Sequence, residues 1–189
     1  MKLVVTWADI RGLQQFEKGV RWLNENFPKV LPRIMNQVGD RARTRVVRAL
    51  TTQTGLKRDV IRRAVDNSKR AFSGQLVYDL RSRGGNVRLK YLNPKETEAG
   101  VTATPFGKKT LYPGTFMKGG VFPHRKMVAR FDGHVFYRLN RSGSRITFAR
   151  SGVFIPKEMI MGATKQAFEG EVQTTLPQRI DQVLRKLQG

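Results

Sequence analysis

The feature that most narrows the fold is a change of hydrophobic period along the chain. Up to Asn67 the apolar residues recur three and four apart, from Gly74 they alternate, and from about Lys157 helical spacing returns. Helices first, then strands, then a helix is the pattern of an α+β protein. We therefore expect a single domain over 1–189 with a helical part about 1–67. A mostly antiparallel β-sheet or sandwich with a long extended loop should fill about 74–155, and a C-terminal helix about 157–187.

Leu3 to Val5 reads as a short strand. Asp9 can cap a first helix with Leu13, Phe16, Val20 and Leu23 on its apolar face, and Phe27-Pro28 should break it. A longer helix follows, with Leu31, Ile34, Val38, Ala42, Val46 and Ala49 on one stripe and Arg41, Arg45 and Arg48 together on another face. Thr54 is placed to cap the next helix, which presents Leu56, Val60, Ile61 and Ala64.

In the alternating region, Leu76, Tyr78 and Leu80 precede the turn residues "RGGN" at 83–86, and Val87, Leu89 and Tyr91 follow. That spacing predicts a β-hairpin with one buried face. Further strands are expected at Val101–Thr104, Met127–Phe131, Val135–Leu139 and Arg145–Phe148, the last two joined by the turn "LNRSGSR". In the final helix Ala163, Ala167, Val172, Leu176, Ile180, Val183, Leu184 and Leu187 form an apolar stripe. Pro177 should kink or restart it.

Chemistry is sparse. The chain has no cysteine, which removes disulfides, thiolate metal sites and cysteine nucleophiles together. The two histidines, His124 and His134, lie in basic surroundings, and from 99 to 157 the only acid is Asp132 against eleven Lys and Arg. A catalytic or metal site needs convergent groups, so neither histidine is assigned a role. "GKKT" at 107–110 echoes a phosphate-binding loop, but Lys109 stands in the Ser/Thr place and Thr102 in that of the first glycine. Neither an enzyme, a metal nor a cofactor is expected. "MKLVVTWADI" is too short in apolar residues for a secretion signal, and no apolar run approaches the roughly 20 residues of a membrane span. The sequon Asn140-Arg141-Ser142 reads as a plain turn.

The formal charge is +22, from 36 Lys and Arg against 14 Asp and Glu. Such an excess speaks to partners, nucleic acid first and an acidic protein surface second. Candidate contacts are Arg41, Arg45 and Arg48 on the helix and Lys108, Lys109, Lys118, Arg125 and Lys126 in the acid-free stretch 106–130. That stretch is either a solvated basic surface or an arm that meets phosphates or another subunit. Phe106, Leu111, Tyr112, Phe116 and Phe122 favour an inter-subunit arm, because exposed apolar groups mark interfaces.

"ALTTQTGLKRDVIRRAV" at 49–65 has the outline of a DNA-reading helix-turn-helix, with Gly55 at the turn and Lys57, Arg58, Arg62 and Arg63 beyond it. Its bland alternative is a helical corner that packs Leu56 and Ile61 onto the sheet.

In order and spacing, the run from 49 to 156 resembles the minor tail protein Z family of tailed bacteriophages. The resemblance is carried by Thr54-Gly55-Leu56 with Ile61, Gly100-Val101, Gly107, Gly114-Thr115-Phe116, Val135-Phe136-Tyr137-Arg138, Ile146, and Gly152 with Pro156. Lys95-Glu96-Thr97 and Ala149-Arg150-Ser151-Gly152 depart from that pattern. The resemblance implies a structural subunit of the virion, assembled in the host bacterial cytoplasm. It would form a ring of identical copies, commonly six, at the neck or head-proximal end of the tail. There it would meet the tail tube or tail terminator and head–tail connector proteins, with non-specific contact to genomic DNA, in tail completion and head–tail joining. The alternative function is a DNA-binding regulator using 49–65. No membrane partner is expected.

Overall fold

The structure, a computed structural model, describes residues 10–188, the side chains of 10–20, 22–24, 67–68 and 187–188 excepted. The expected strand at Leu3–Val5 and the Asp9 cap lie outside the described residues.

Helix α1 (Ile10–Thr54) runs unbroken for 45 residues, about 67 Å at 1.5 Å per residue. The break expected at Phe27-Pro28 does not occur: both Pro28 and Pro32 sit inside the helix. Pro32 has no N–H for the carbonyl of Pro28 four residues earlier. The hydroxyl of Ser73 donates to that carbonyl at 2.9 Å instead. Beyond it Ile34, Val38, Ala42 and Val46 are buried as the stripe predicts, and Val47 and Leu50 join them. Tertiary packing of this face outweighs the proline penalty.

At the end of α1 the chain turns at Gly55. Its φ is +73°, and a Cβ there would stand 2.6 Å from the Thr104 carbonyl oxygen. Only glycine fits such a turn against a second backbone. Helix α2 (Arg58–Ala64) follows and is two turns long. Thr54 does not cap it. The Thr54 hydroxyl donates to the Leu50 carbonyl at 2.6 Å and accepts from the Leu56 amide, while the cap position belongs to Lys57, which makes no side-chain cap bond. Leu56 and Ile61 are fully buried.

Strand β1 (Val65–Lys69) leaves α2 without a loop and pairs antiparallel with β2 (Asp79–Ser82), Val65 facing Ser82. The expected hairpin across "RGGN" is therefore wrong. β3 (Asn86–Arg88) turns away from β2 and pairs with β10 (Arg150–Phe154). The polar "VDNSK" shows no alternation, yet it emerges beside β2 and occupies the edge a hairpin would have used. Leu89 dips into a 3-10 turn and is fully buried, whereas Leu76 stays exposed.

Two three-stranded antiparallel sheets follow. One orders β4 (Lys95–Thr97), β5 (Gly100–Ala103) and β6 (Thr110–Pro113); the other orders β7 (Thr115–Phe116), β8 (Phe136–Arg138) and β9 (Ile146–Phe148). The long extended loop thus shrinks: β6 and β7 consume much of it. Gly100 permits the β5–β6 register, since a Cβ there would stand 2.2 Å from the Tyr112 carbonyl oxygen. Met127–Phe131 is not a strand; Ala129–Phe131 forms a 3-10 turn that drops Phe131 onto Phe136 with ring centroids 4.9 Å apart. The expected strands at 101–104, 135–139 and 145–148 correspond to β5, β8 and β9.

The C-terminal helical part divides into α3 (Ile155–Met159) and α4 (Gly162–Gln188). α4 passes Pro177 without restarting. It lies antiparallel along α1. Gln53 accepts from the hydroxyl of Thr164 at 3.0 Å near one end, and Arg45 meets Glu171 farther along. Gln53 also donates to the Glu158 carboxylate at 2.6 Å, so one amide holds α1, α3 and the start of α4 together. The core draws Val46, Leu50, Leu56, Ile61, Leu89, Leu92, Val101, Val135, Val153 and Ile155 into one cluster spanning α1 to α3. The architecture is α+β, with small antiparallel sheets in place of one large one.

Candidate basic interface

The three helix arginines are all exposed, but among the described residues only Arg45 has an acidic partner. Arg41 and Arg48 are exposed on α1. Arg45 pairs at 2.5 Å with Glu171, whose side chain is only 6% exposed. A carboxylate that deep needs its counter-charge, so Arg45 belongs to the α1–α4 seam.

The 106–130 stretch divides in the same way. Lys108, Lys109 and Lys126 are exposed and Lys118 half-buried. Arg125 is turned inward, paired with the buried Glu96, whose carboxylate also accepts the Met117 amide at 3.0 Å. Gly119 and Lys126 exchange backbone hydrogen bonds of 3.0 and 2.9 Å. The segment 117–128 is consequently a closed loop on a fixed root. Val121 and Met127 project from it, 81% and 76% exposed.

Of the proposed arm residues, Phe106, Leu111 and Phe122 are exposed. Phe116 is buried and Tyr112 half-buried. Tyr112 packs on the core, its hydroxyl reaching the Ser151 carbonyl at 3.4 Å, and burial pushes its phenol above the usual value. Phe116 is buried against Phe131 and Phe136, beneath the guanidinium of Arg138, 4.7 Å from its ring centroid.

One cluster escapes a reading of the sequence. Lys90 donates to Asp132 at 2.8 Å, His134 lies 3.8 Å from the same carboxylate, and Arg88 stands 3.4 Å from the His134 ring nitrogen. Phe148 closes the group: Arg88 stacks on it at 4.0 Å and His134 meets it edge-on at 4.9 Å. Burial, then Lys90 and Arg88, hold the imidazole below its usual pKa, Asp132 opposing them. Lys90 holds the Asp132 carboxyl low. The Arg88/Lys90 pair and the Asp132/His134 pair are more than forty positions apart in the chain, so no local spacing could have joined them. The positive charges of Lys90 and Arg88 beside the ring oppose a metal cation there. Among the described residues no group of three or more His, Asp or Glu could hold one.

A cleft of about 440 Å³ opens between α2 and the turn into β3, lined by Val60, Arg63, Gly84, Gly85, Arg88 and Tyr91 among others. A more apolar hollow of about 540 Å³ lies where α1, β2, α3 and α4 meet, lined by Val46, Tyr78, Leu80, Met159 and Phe168 among others. Among the described residues no helix is long and apolar enough to cross a membrane. The chain matches no protein-family model, no curated protein and no solved structure.

Proposed function

We propose that this chain is a non-catalytic structural subunit of a tailed-phage virion. It would form a ring of identical copies at the neck or head-proximal end of the tail and serve tail completion and head–tail joining around the DNA channel. The observation that carries the reading is the 117–128 loop. Its root is held by the Glu96–Arg125 pair and the Gly119–Lys126 bridge, while Val121, Phe122 and Met127 stay exposed at its surface. A loop that is fixed at its base and apolar outside suits docking onto a neighbour. The net charge of +22 suits many copies around a polyanion. Gly55 and Gly100, two of the residues on which the resemblance rests, stand where a Cβ would strike another backbone.

The regulator reading has less support. α2 has seven residues, turns Ile61 into the core and runs straight into β1. Its exposed face is Arg58, Asp59, Arg62 and Arg63, with none of the Asn, Gln, Ser or Thr that usually read bases alongside arginine.

Negative-stain imaging and mass photometry of the purified protein, alone and with tail tubes, test the proposal. Rings, or particles capping the tubes, are the expected result. A monomer at every concentration that never joins tubes would count against it. So would a dimer with a sequence-selective footprint on DNA.

A further inference from the structure

We propose that the cleft between α2 and the turn into β3 is a binding site for the phosphodiester backbone of double-stranded DNA. Arg63 stands on the α2 side, Arg88 and Tyr91 opposite, and Gly84 and Gly85 between them. Arg62 and Arg83 are exposed beside it. Among the described residues none of these four arginines is paired with a carboxylate. Arg45, Arg70, Arg81 and Arg125, by contrast, are each engaged by an acid; what marks the cleft is that Arg63 and Arg88 line one concave site.

The two lining arginines are held in place. Arg88 rests its guanidinium 4.0 Å from the Phe148 ring centre and 3.4 Å from His134. Arg63 donates its Nε to the Asp59 carbonyl at 3.2 Å, which steers the stem and leaves the terminal nitrogens. Planar guanidinium forks match phosphate oxygens two at a time. At the floor, a Cβ added to Gly84 or Gly85 would meet nothing within 4 Å, so an anion can approach the backbone there.

The chemistry favours a phosphate backbone over an acidic protein. The cleft is wide open and sets the cations Arg63 and Arg88 and bare glycine backbone beside Val60, Ala64 and Val87, and no acidic residue lines it. The one side-chain amide lining it, Asn86, already accepts the Gly152 amide at 2.9 Å. Exposed Arg58 and Arg62 continue the charge along α2. Phosphate contacts of this kind position a duplex without reading it.

This inference deepens the DNA-channel part of the proposed function, but its geometry does not depend on the ring. The test is fluorescence anisotropy of labelled random-sequence duplexes with the full chain across a salt series. Doubly substituted Arg63→Gln/Arg88→Gln protein should bind at least about tenfold more weakly, with a salt slope shallower by about 2. Arg185→Gln/Lys186→Gln makes the same charge change on the exposed last turn of α4 and should stay within about twofold of the parent. Gly85→Glu, which touches neither the core nor the Phe148 stack, should reproduce the loss if Arg88→Gln disturbs folding. Equal losses in the two double variants would reduce the effect to net charge and overturn the proposal, as would unchanged affinity in Arg63→Gln/Arg88→Gln and Gly85→Glu. Polyglutamate that competes as well as DNA, with the same dependence on Arg63 and Arg88, would assign the cleft to an acidic protein instead. Mass photometry on the same samples separates the two ideas. Rings whose DNA affinity ignores the cleft variants sink the cleft and keep the ring. A monomer that binds DNA through Arg63 and Arg88 does the reverse.

Discussion

The corner at 54–61 and the loop at 117–128 are built from similar residues and reach opposite ends. Both combine glycine with cations and a few large apolar side chains. At the corner, Gly55 brings the α1 terminus against the backbone of Thr104, and Leu56 and Ile61 vanish into the core. In the loop, Arg125 turns inward to Glu96 while Val121 and Met127 remain in solvent. Cations flank both segments, so charge does not decide which becomes scaffold. What decides is whether the apolar side chains find cover within the same chain.

The sharpest way to break that contrast is at the corner. Leu56→Ala should cost about 2–5 kcal/mol, as truncation of a fully buried leucine does, read as a drop in Tm or in the denaturant midpoint. Lys57→Ala beside it should be nearly silent. An unchanged Tm for Leu56→Ala would remove the corner from the core.

The root of the loop comes next. Arg125→Met leaves the 7% exposed Glu96 carboxylate without its partner. We expect about 2–3 kcal/mol of destabilisation, somewhat less than for a wholly enclosed pair, with early tryptic cleavage at Lys118 and Lys126. Glu96→Gln/Arg125→Met should recover part of that loss. Failure of the double variant to recover any would mean that the pair does not hold the root.

A smaller effect concerns pH. The folded pKa of His134 is depressed by burial, Lys90 and Arg88, so below about 6.5, the ordinary histidine value, the unfolded chain binds the proton and the folded chain does not. Stability from this residue is therefore full above about pH 6.5 and is lost as pH falls through the lower folded value. His134→Asn should flatten that acid-side loss while lowering stability at neutral pH. Parallel curves for the two proteins between pH 5 and 8 would show that His134 does not titrate this way.

Smallest in stability, but largest in consequence for assembly, is the loop tip. Val121→Ser/Met127→Ser should change folding by no more than about 0.5 kcal/mol, since exposed positions tolerate substitution. If the proposed function holds, the same variant should fail to form rings or join tails. Rings that survive it would move the interface elsewhere.

The sequence alone determined the order of element types, because hydrophobic period is a local property. The stripe Ile34–Val38–Ala42–Val46, the strands β5, β8 and β9 and the burial of Leu56 and Ile61 all follow from it. The charge excess was equally plain. Only the tertiary structure decided which strands pair and which cations are free. β2 chose β1 over β3 because "VDNSK", featureless by itself, leaves α2 beside it. Pro28 and Pro32 stay helical because the buried face beyond them and the Ser73 hydroxyl offset the missing donor. Arg45 and Arg125 read as partner contacts but are held by Glu171 and Glu96, 126 and 29 positions away, while Arg63 and Arg88 stand unpaired at one cleft. Pairing and burial depend on what arrives from distant parts of the chain, and a residue's type and spacing carry no record of that arrival.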